Sequence, residues 1–369
     1  MKRIFVHAYL AGNFGDDLFV YILCRRYPKI RFRIFADSSY KKTFAGLPNL
    51  EVCDYNSRTA RFWDHLWKKL KKTDNGFWKM LIRFSDGVVH IGGSSFVQHS
   101  EDFGPFLESD RTLRRLGKKM YLIGSNFGPY TDENYYTSYH RLFATYDAIC
   151  FRDSYSYGLF RDLDNVRWAP DVAYNLQYHS RKQEKKMVLI SAIDMKERGG
   201  KYPLCSYTDA YEKVLGQILE YFLARGYEVV FLSLCEAQGD ARAMERVLEK
   251  TGEKGRIPVF HYRDNLREAL DLFAEAQIVV GTRFHSLVMG WLNRKQVYPI
   301  VYDKKIQNTL EDLHYNNYLR LEDLESFRTD QLEHIERLED REVDRLIAGA
   351  QEQFAAFDQL AEEWGGAHE

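Results

Sequence analysis

Residues 278–289 read Ile278-Val279-Val280-Gly281-Thr282-Arg283-Phe284-His285-Ser286-Leu287-Val288-Met289. The first three are unbroken, apolar and β-branched. A strand with no polar residue alternating through it has no solvent face, so it belongs in a sheet covered on both sides, as parallel α/β sheets are. Short apolar runs bounded by turn residues recur at 4–10, 32–36, 87–91, 119–123, 148–151 and 166–169, and again at 187–192, 228–234, 258–262 and 297–302. Between some of them, 207–225, 237–250 and 266–276 carry apolar residues at helical spacing. Strands alternating with helices predict an α/β fold with parallel sheets.

The 369 residues exceed the usual size of one hydrophobic core, so two domains are expected. The polar, basic stretch His179–Lys186 separates the last apolar run of the first half from Val188-Leu189-Ile190, placing one domain at 1–180 and a second at 181–329. Both read as doubly wound and Rossmann-like, facing a cleft, with chemistry at the carboxyl ends of the strands. The acidic tail, 330–369, reads as helical, with Leu332, Ile335, Leu338, Leu346 and Ile347 as its apolar stripe.

Lys plus Arg number 52 against 53 Asp plus Glu, so no global field draws the chain to nucleic acid, and an anionic ligand must be met by a local constellation. With 45% hydrophobic and 28% charged residues the composition is that of a globular protein. The chain starts directly on a strand-like run, with no signal peptide expected and no apolar stretch near the roughly 18 residues that span a bilayer. Cys24, Cys53, Cys150, Cys205 and Cys235 are scattered and odd in number. They read as small core residues of a cytoplasmic protein, neither disulfide framework nor zinc site. No metal is expected, since none of the carboxylates clusters in sequence. Aromatic residues make up 15%, which suits carbohydrate recognition but also a core.

Five glycine or polar turns stand at strand ends. Gly12-Asn13-Phe14-Gly15-Asp16-Asp17 precedes a helix; it reads as a sugar contact or as a plain turn with Asp16 or Asp17 as cap. Gly92-Gly93-Ser94-Ser95 lets a backbone approach a ligand, but lacks the lysine and spacing of a phosphate loop and is no nucleophile elbow. Gly124-Ser125-Asn126-Phe127-Gly128 is a loop on the same sheet edge. Arg152 follows a strand with a fork suited to a carboxylate or phosphate; the alternative is a pair with Asp153 or a cap. Asp171 stands at the cleft rim or caps a helix. The fifth turn is Thr282-Arg283-Phe284-His285-Ser286. Strand alternation sends Arg283 and His285 to one side and Phe284 to the other, and His285 is expected at the start of the helix that holds Leu287 and Met289. A fork beside a titratable ring suits an anion next to a proton transfer; an interdomain salt bridge and a core histidine are the bland reading.

Taken in order, Asn13-Phe14-Gly15-Asp16, Ile91-Gly92-Gly93-Ser94, Gly124 to Gly128, Arg152-Asp153-Ser154, Pro170-Asp171-Val172-Ala173 and Arg283-Phe284-His285 resemble the polysaccharide pyruvyl transferase family. The resemblance runs over roughly residues 5 to 305. Ser94 stands where many relatives have a third glycine, and Phe284 where leucine is commoner.

The resemblance implies a GT-B-like fold and transfer of pyruvate from phosphoenolpyruvate to two hydroxyls of a sugar, forming a ketal. It assigns Arg283 to the phosphate, His285 to general acid/base work, and Arg152 and Phe284 to the donor. Asn13, Asp16, Gly92, Gly93 and Ser94 fall to the acceptor. The first domain would be the acceptor side, the second the donor side. No cofactor beyond the co-substrate is expected. The acceptor is a sugar or glycan whose lipid linkage stays open. Two rivals remain open: a GT-B-type glycosyltransferase using a nucleotide-sugar, and a non-catalytic glycan-binding subunit. Residues 61–84 add a last expectation. Phe62, Trp63, Leu66, Trp67 and Leu70 share a helix face against Lys68, Lys69, Lys71 and Lys72, followed after Asp74-Asn75-Gly76 by Phe77, Trp78, Met80, Leu81 and Ile82. This suits either peripheral contact with the inner face of an anionic membrane or a hairpin packed on the first domain.

Overall fold

The computed structural model describes residues 2–71 and 74–365. It divides into two compact units. The first comprises residues 1–10, 16–172 and 350–369; the second, residues 11–15 and 173–349.

The first unit is built on β1 (Arg3–His7), α1 (Phe14–Arg26), β2 (Arg31–Ala36), the single turn α2 (Tyr40–Thr43), β3 (Leu50–Asp54), α3 (Arg58–Lys71), α4 (Gly76–Arg83), β4 (Gly87–Ile91), α5 (Gly104–Leu116), β5 (Met120–Ser125), α6 (Glu133–Phe143), β6 (Ala148–Phe151), α7 (Ser154–Phe160) and β7 (Val166–Trp168). Its seven strands run in the order β3-β2-β1-β4-β5-β6-β7, all parallel. The order reverses between β1 and β4, the place where doubly wound sheets open a crevice beyond their strand ends. The edge strand β3 escapes the reading of continuous apolar runs because Glu51 and Asp54 interrupt Leu50, Val52 and Cys53. An edge strand needs no fully apolar sequence.

Much of the aromatic content is core. Phe96, Phe127, Tyr135, Tyr139, Phe143 and Phe160 interlock in one cluster, with Phe127 and Phe160 edge to face at 4.9 Å and Phe96 and Phe143 at 5.0 Å. The tail returns through Gln353, whose amide nitrogen donates to the carbonyls of Phe151, Ala169 and Pro170 while its oxygen accepts from the Gly124 N–H at 2.9 Å. The α3–α4 hairpin splits its apolar face. Phe77, Leu81 and Ile82 enter the core with Trp63, Trp78 and Met80 packed on it, whereas Phe62, Leu70 and Phe84 stay 61%, 67% and 60% exposed. Lys68 and Lys69 are exposed beside them; Lys72 lies outside the described residues.

The second unit contains β8 (Met187–Ser191), α8 (Thr208–Ala224), β9 (Glu228–Ser233), α9 (Asp240–Lys250), β10 (Val259–His261), α10 (Leu266–Glu275), β11 (Ile278–Gly281), α11 (Phe284–Leu292), β12 (Gln296–Val301), α12 (Lys304–Asp312) and β13 (Leu319–Arg320). The order β10-β9-β8-β11-β12-β13 is again all parallel, reversing between β8 and β11. Leu332 and Ile335 of the tail join this unit's core. Two further helices, α13 (Asp340–Ala350) and α14 (Ala355–Glu363), complete the chain. No helix among the described residues is long and apolar enough to cross a membrane. Four cysteines are buried and none is bridged, but Cys205 is exposed, so the expectation of core cysteines fails there.

Candidate functional site

In the first unit the loops after β4, β5 and β6 meet around one buried guanidinium. Arg152 donates from Nη1 to Asp171 Oδ2 at 3.1 Å and from Nη2 to Asn126 Oδ1 at 2.6 Å. Asp153 caps α7, its carboxylate accepting from the Ser156 N–H at 2.7 Å. Asp171, read as rim residue or cap, is the counter-ion of Arg152. Ser94 Oγ donates to Asn126 Oδ1 at 3.3 Å, and Ser125 Oγ to the Gly93 carbonyl at 2.8 Å. A Cβ at position 93 would lie 2.7 Å from Arg152 Nη1, so the guanidinium lies flat on a backbone that only glycine permits. Gly92 faces Asp16, whose Oδ1 would stand 3.7 Å from a Cβ at 92. Gly92, Gly93, Ser94, Asn126, Arg152 and Asp171 thus form one polar cluster at the strand ends, with Asp16 beside it.

Asp16 and Asp17 do not cap α1. The helix begins at Phe14, and Asn13 Oδ1 accepts from the Gly15 N–H at 2.9 Å, which makes Asn13 the cap and places both acids inside the first turn. Asn13 bridges Cys235, and the Phe14 N–H donates to the Leu234 carbonyl at 3.0 Å, so this loop belongs to the strand ends of the second unit.

The second unit gathers its polar groups beside its own reversal point. β11 ends at Gly281 and α11 starts at Phe284, with Arg283 in the position just before it and its side chain making no capping hydrogen bond. The alternation argument for residues 283–285 therefore fails, because these residues turn into a helix instead of continuing the strand. His285 lies in the first helical turn as expected, partly exposed, with the buried Phe284 ring edge-on to it at 5.3 Å. Gly15 lies against it so closely that a Cβ there would fall 1.7 Å from His285 Nδ1.

Arg283 is 8% exposed. Its Nε donates to Asp240 Oδ2 at 2.9 Å, its Nη2 to Asp240 Oδ1, and its Nη1 to Gln238 Oε1 at 2.7 Å. Arg198 Nη2 donates to the same Gln238 oxygen at 3.0 Å. Two guanidinium groups therefore meet on one amide oxygen with Asp240 as the carboxylate they share locally. Burial raises the Asp240 carboxyl above its ordinary value, against the pull of Arg283 and the Cys235 N–H. Three of the five arginine N–H groups of Arg283 are engaged, which leaves two for an anion. Arg198, Gln238 and Asp240 were not singled out in the sequence. The available signal was the Gln238-Gly239-Asp240 turn that opens the helix after β9.

The polysaccharide pyruvyl transferase model matches residues 13–304, from the cap of α1 to the start of α12. The chain belongs to the polysaccharide pyruvyl transferase family. The match covers every cluster just described. The amylovoran biosynthesis protein AmsJ of Erwinia amylovora is 23% identical, with 85% of this chain and 86% of that protein covered. Among solved structures, HepE of Anabaena in complex with UDP and glucose superposes with a TM-score of 0.55 at 12% identity, covering 99% of each chain. The UDP-GlcNAc 2-epimerase of Neisseria meningitidis does so at 0.55 and 9%, covering 98% of this chain and 100% of its own. These likenesses show the fold of this family member, two parallel-sheet α/β domains of the GT-B-like class.

Proposed function

We propose that this chain transfers pyruvate from phosphoenolpyruvate to two hydroxyls of a sugar in a polysaccharide or glycan precursor, closing a ketal. The observation that carries the reading is the meeting of Arg198 and Arg283 on Gln238, with His285 two residues from Arg283 at a helix start. Two guanidiniums against one carboxylate leave a positive surplus suited to a phosphate dianion. Membership of the pyruvyl transferase family supports the donor's identity, and the similarity to an amylovoran biosynthesis protein supports a glycan acceptor.

In this reading Arg283 meets the phosphate with its two remaining N–H groups, and Arg152 meets the carboxylate or phosphate of the donor. His285 delivers a proton to the methylene carbon of phosphoenolpyruvate, leaving cationic character on the central carbon. The first sugar hydroxyl bonds to that carbon and gives up its proton. The bond from the central carbon to the phosphate oxygen then breaks, inorganic phosphate departs with that electron pair, and the second hydroxyl closes the ketal with loss of its proton. Histidine suits both directions of proton transfer near neutral pH. Phe284 packs behind His285, and Asn13, Asp16, Gly92, Gly93 and Ser94 are assigned to the acceptor.

Phosphate release from phosphoenolpyruvate, measured with a panel of glycans and lipid-linked sugars, tests the proposal. Release that requires a glycan supports it. Stabilisation of the protein by nucleotide-sugars and not by phosphoenolpyruvate would replace it with a glycosyl transfer.

A further inference from the structure

The transfer chemistry leaves unused one group of side chains on the sheet of the first unit. His7 ends β1, and His90 is its register partner on β4, so both imidazoles project from the same face. Their rings stand edge to face with centroids 4.6 Å apart. Asp110 reaches the same place from α5. One potential ligand atom from each of the three lies within 4.8 Å of the others.

The spacing excludes a simple hydrogen-bonded pair. His90 Nδ1 stands 3.8 Å from Asp110 Oδ1, beyond hydrogen-bonding distance. His90 is 4% exposed, and that nitrogen has no hydrogen-bond partner among the described residues. Buried polar atoms of this kind are rarely left unsatisfied. An ion with metal–nitrogen and metal–oxygen bonds of about 2.0–2.2 Å holds neighbouring ligand atoms roughly 3.4–4 Å apart, which matches the 3.8 Å between His90 Nδ1 and Asp110 Oδ1.

The surroundings have the features of a ligand set. Tyr139 donates to the other carboxylate oxygen of Asp110 at 2.9 Å, fixing its orientation as outer contacts of metal ligands do. His7 is the least buried of the three.

We propose that His7, His90 and Asp110 bind one divalent transition-metal ion of the zinc class, with Tyr139 as the residue that positions the carboxylate. Two imidazoles and a carboxylate suit zinc and its neighbours over magnesium or calcium, which prefer all-oxygen sets. Three protein ligands leave a fourth position for water or substrate. The ion would tie β1, β4 and α5 together two residues before Gly92.

The test uses the full-length protein stripped with a chelator and titrated with Co²⁺ as an optical probe. One equivalent should bind, with visible d–d bands that Zn²⁺ abolishes by displacement. His7→Ala removes the most accessible ligand with the least risk to folding, and should lose both the bands and stoichiometric binding while keeping its circular dichroism. Tyr139→Phe should keep one site but bind roughly 10- to 100-fold more weakly. A wild type that takes up neither ion stoichiometrically overturns the proposal, as does a folded His7→Ala that binds like the wild type.

Discussion

Gly15→Ala isolates the placement of His285. A Cβ at position 15 would lie 1.7 Å from His285 Nδ1, 2.3 Å from Cε1 and 2.5 Å from Cγ, where ordinary contact begins near 3.4 Å. Because three ring atoms are struck from one side, the imidazole has to move as a body. The shortfall at Nδ1, 3.4 minus 1.7, sets the scale at about 1.7 Å if the backbone holds. The backbone has no reason of its own to yield. Gly15 sits in the first turn of α1 without a positive φ, and alanine is favoured over glycine in a helix by about 1 kcal/mol. Local overpacking of this sort costs about 1–3 kcal/mol, so the variant should remain folded. A misplacement of about 1 Å in a catalytic group lowers rates on the order of 10²-fold. Turnover in a glycan-dependent phosphate-release assay should therefore fall by at least that factor, while the thermal shift produced by phosphoenolpyruvate persists. If Gly15 acts only through His285, the double variant Gly15→Ala/His285→Gln should be no slower than His285→Gln. Turnover of Gly15→Ala within a few-fold of wild type, or losses that multiply in the double variant, would refute the reasoning.

His285→Gln alone should keep the phosphoenolpyruvate-induced thermal shift and lose about 10²-fold or more in turnover, read in the same release assay. Arg283→Ala leaves the fully buried Asp240 without its ion partner, which should cost about 3–5 kcal/mol in thermal unfolding; adding Asp240→Asn should restore most of it. Arg152→Lys keeps a charge for Asp171 but gives up the planar fork, so KM for phosphoenolpyruvate should rise roughly 10- to 100-fold with little change in Tm. If Phe62, Leu70 and Phe84 with Lys68 and Lys69 dock on an anionic membrane, the protein should sediment with anionic vesicles at low salt and be released at high salt. No sedimentation of the wild type at low salt would leave the hairpin as a packing element.

The parallel sheets were legible because their central strands are apolar on both faces. The runs at 87–91 and 148–151 have the bounds that β4 and β6 have in the structure. What escaped lies at the edges. Acids interrupt β3, and β13 is two residues long, too short to leave a pattern. Residues 282–285 show a different limit. Strand alternation was carried past Gly281, but a glycine followed by Thr282 and Arg283 can end a strand and open a helix, and periodicity does not decide where one gives way to the other.

The partners of the two buried arginines mark the deeper boundary. Arg152 finds Asp171 and Asn126, and Arg283 finds Asp240 and Gln238, residues separated in sequence by 19, 26, 43 and 45 positions. None of these separations is a spacing that helix or strand geometry could announce. All five loops that carry them leave the carboxyl ends of parallel strands, so the topology brings them together once the strand order is known. Strand order is the quantity that a run of apolar residues does not encode. A buried arginine at a strand end is nevertheless a demand for a carboxylate, since an unpaired guanidinium cannot stay out of water. In a doubly wound sheet that carboxylate has few places to stand: at the next strand end, or at the start of the following helix. Asp171 takes the first position, after β7, and Asp240 the second, at the start of α9. Asp171 follows β7, the neighbour of the Arg152 strand β6, whereas Asp240 follows β9, which β8 separates from the Arg283 strand β11. An arginine read as ligand-binding from sequence therefore carries a second claim, that part of its fork is spent on the protein, and only the remaining N–H groups are available to a substrate.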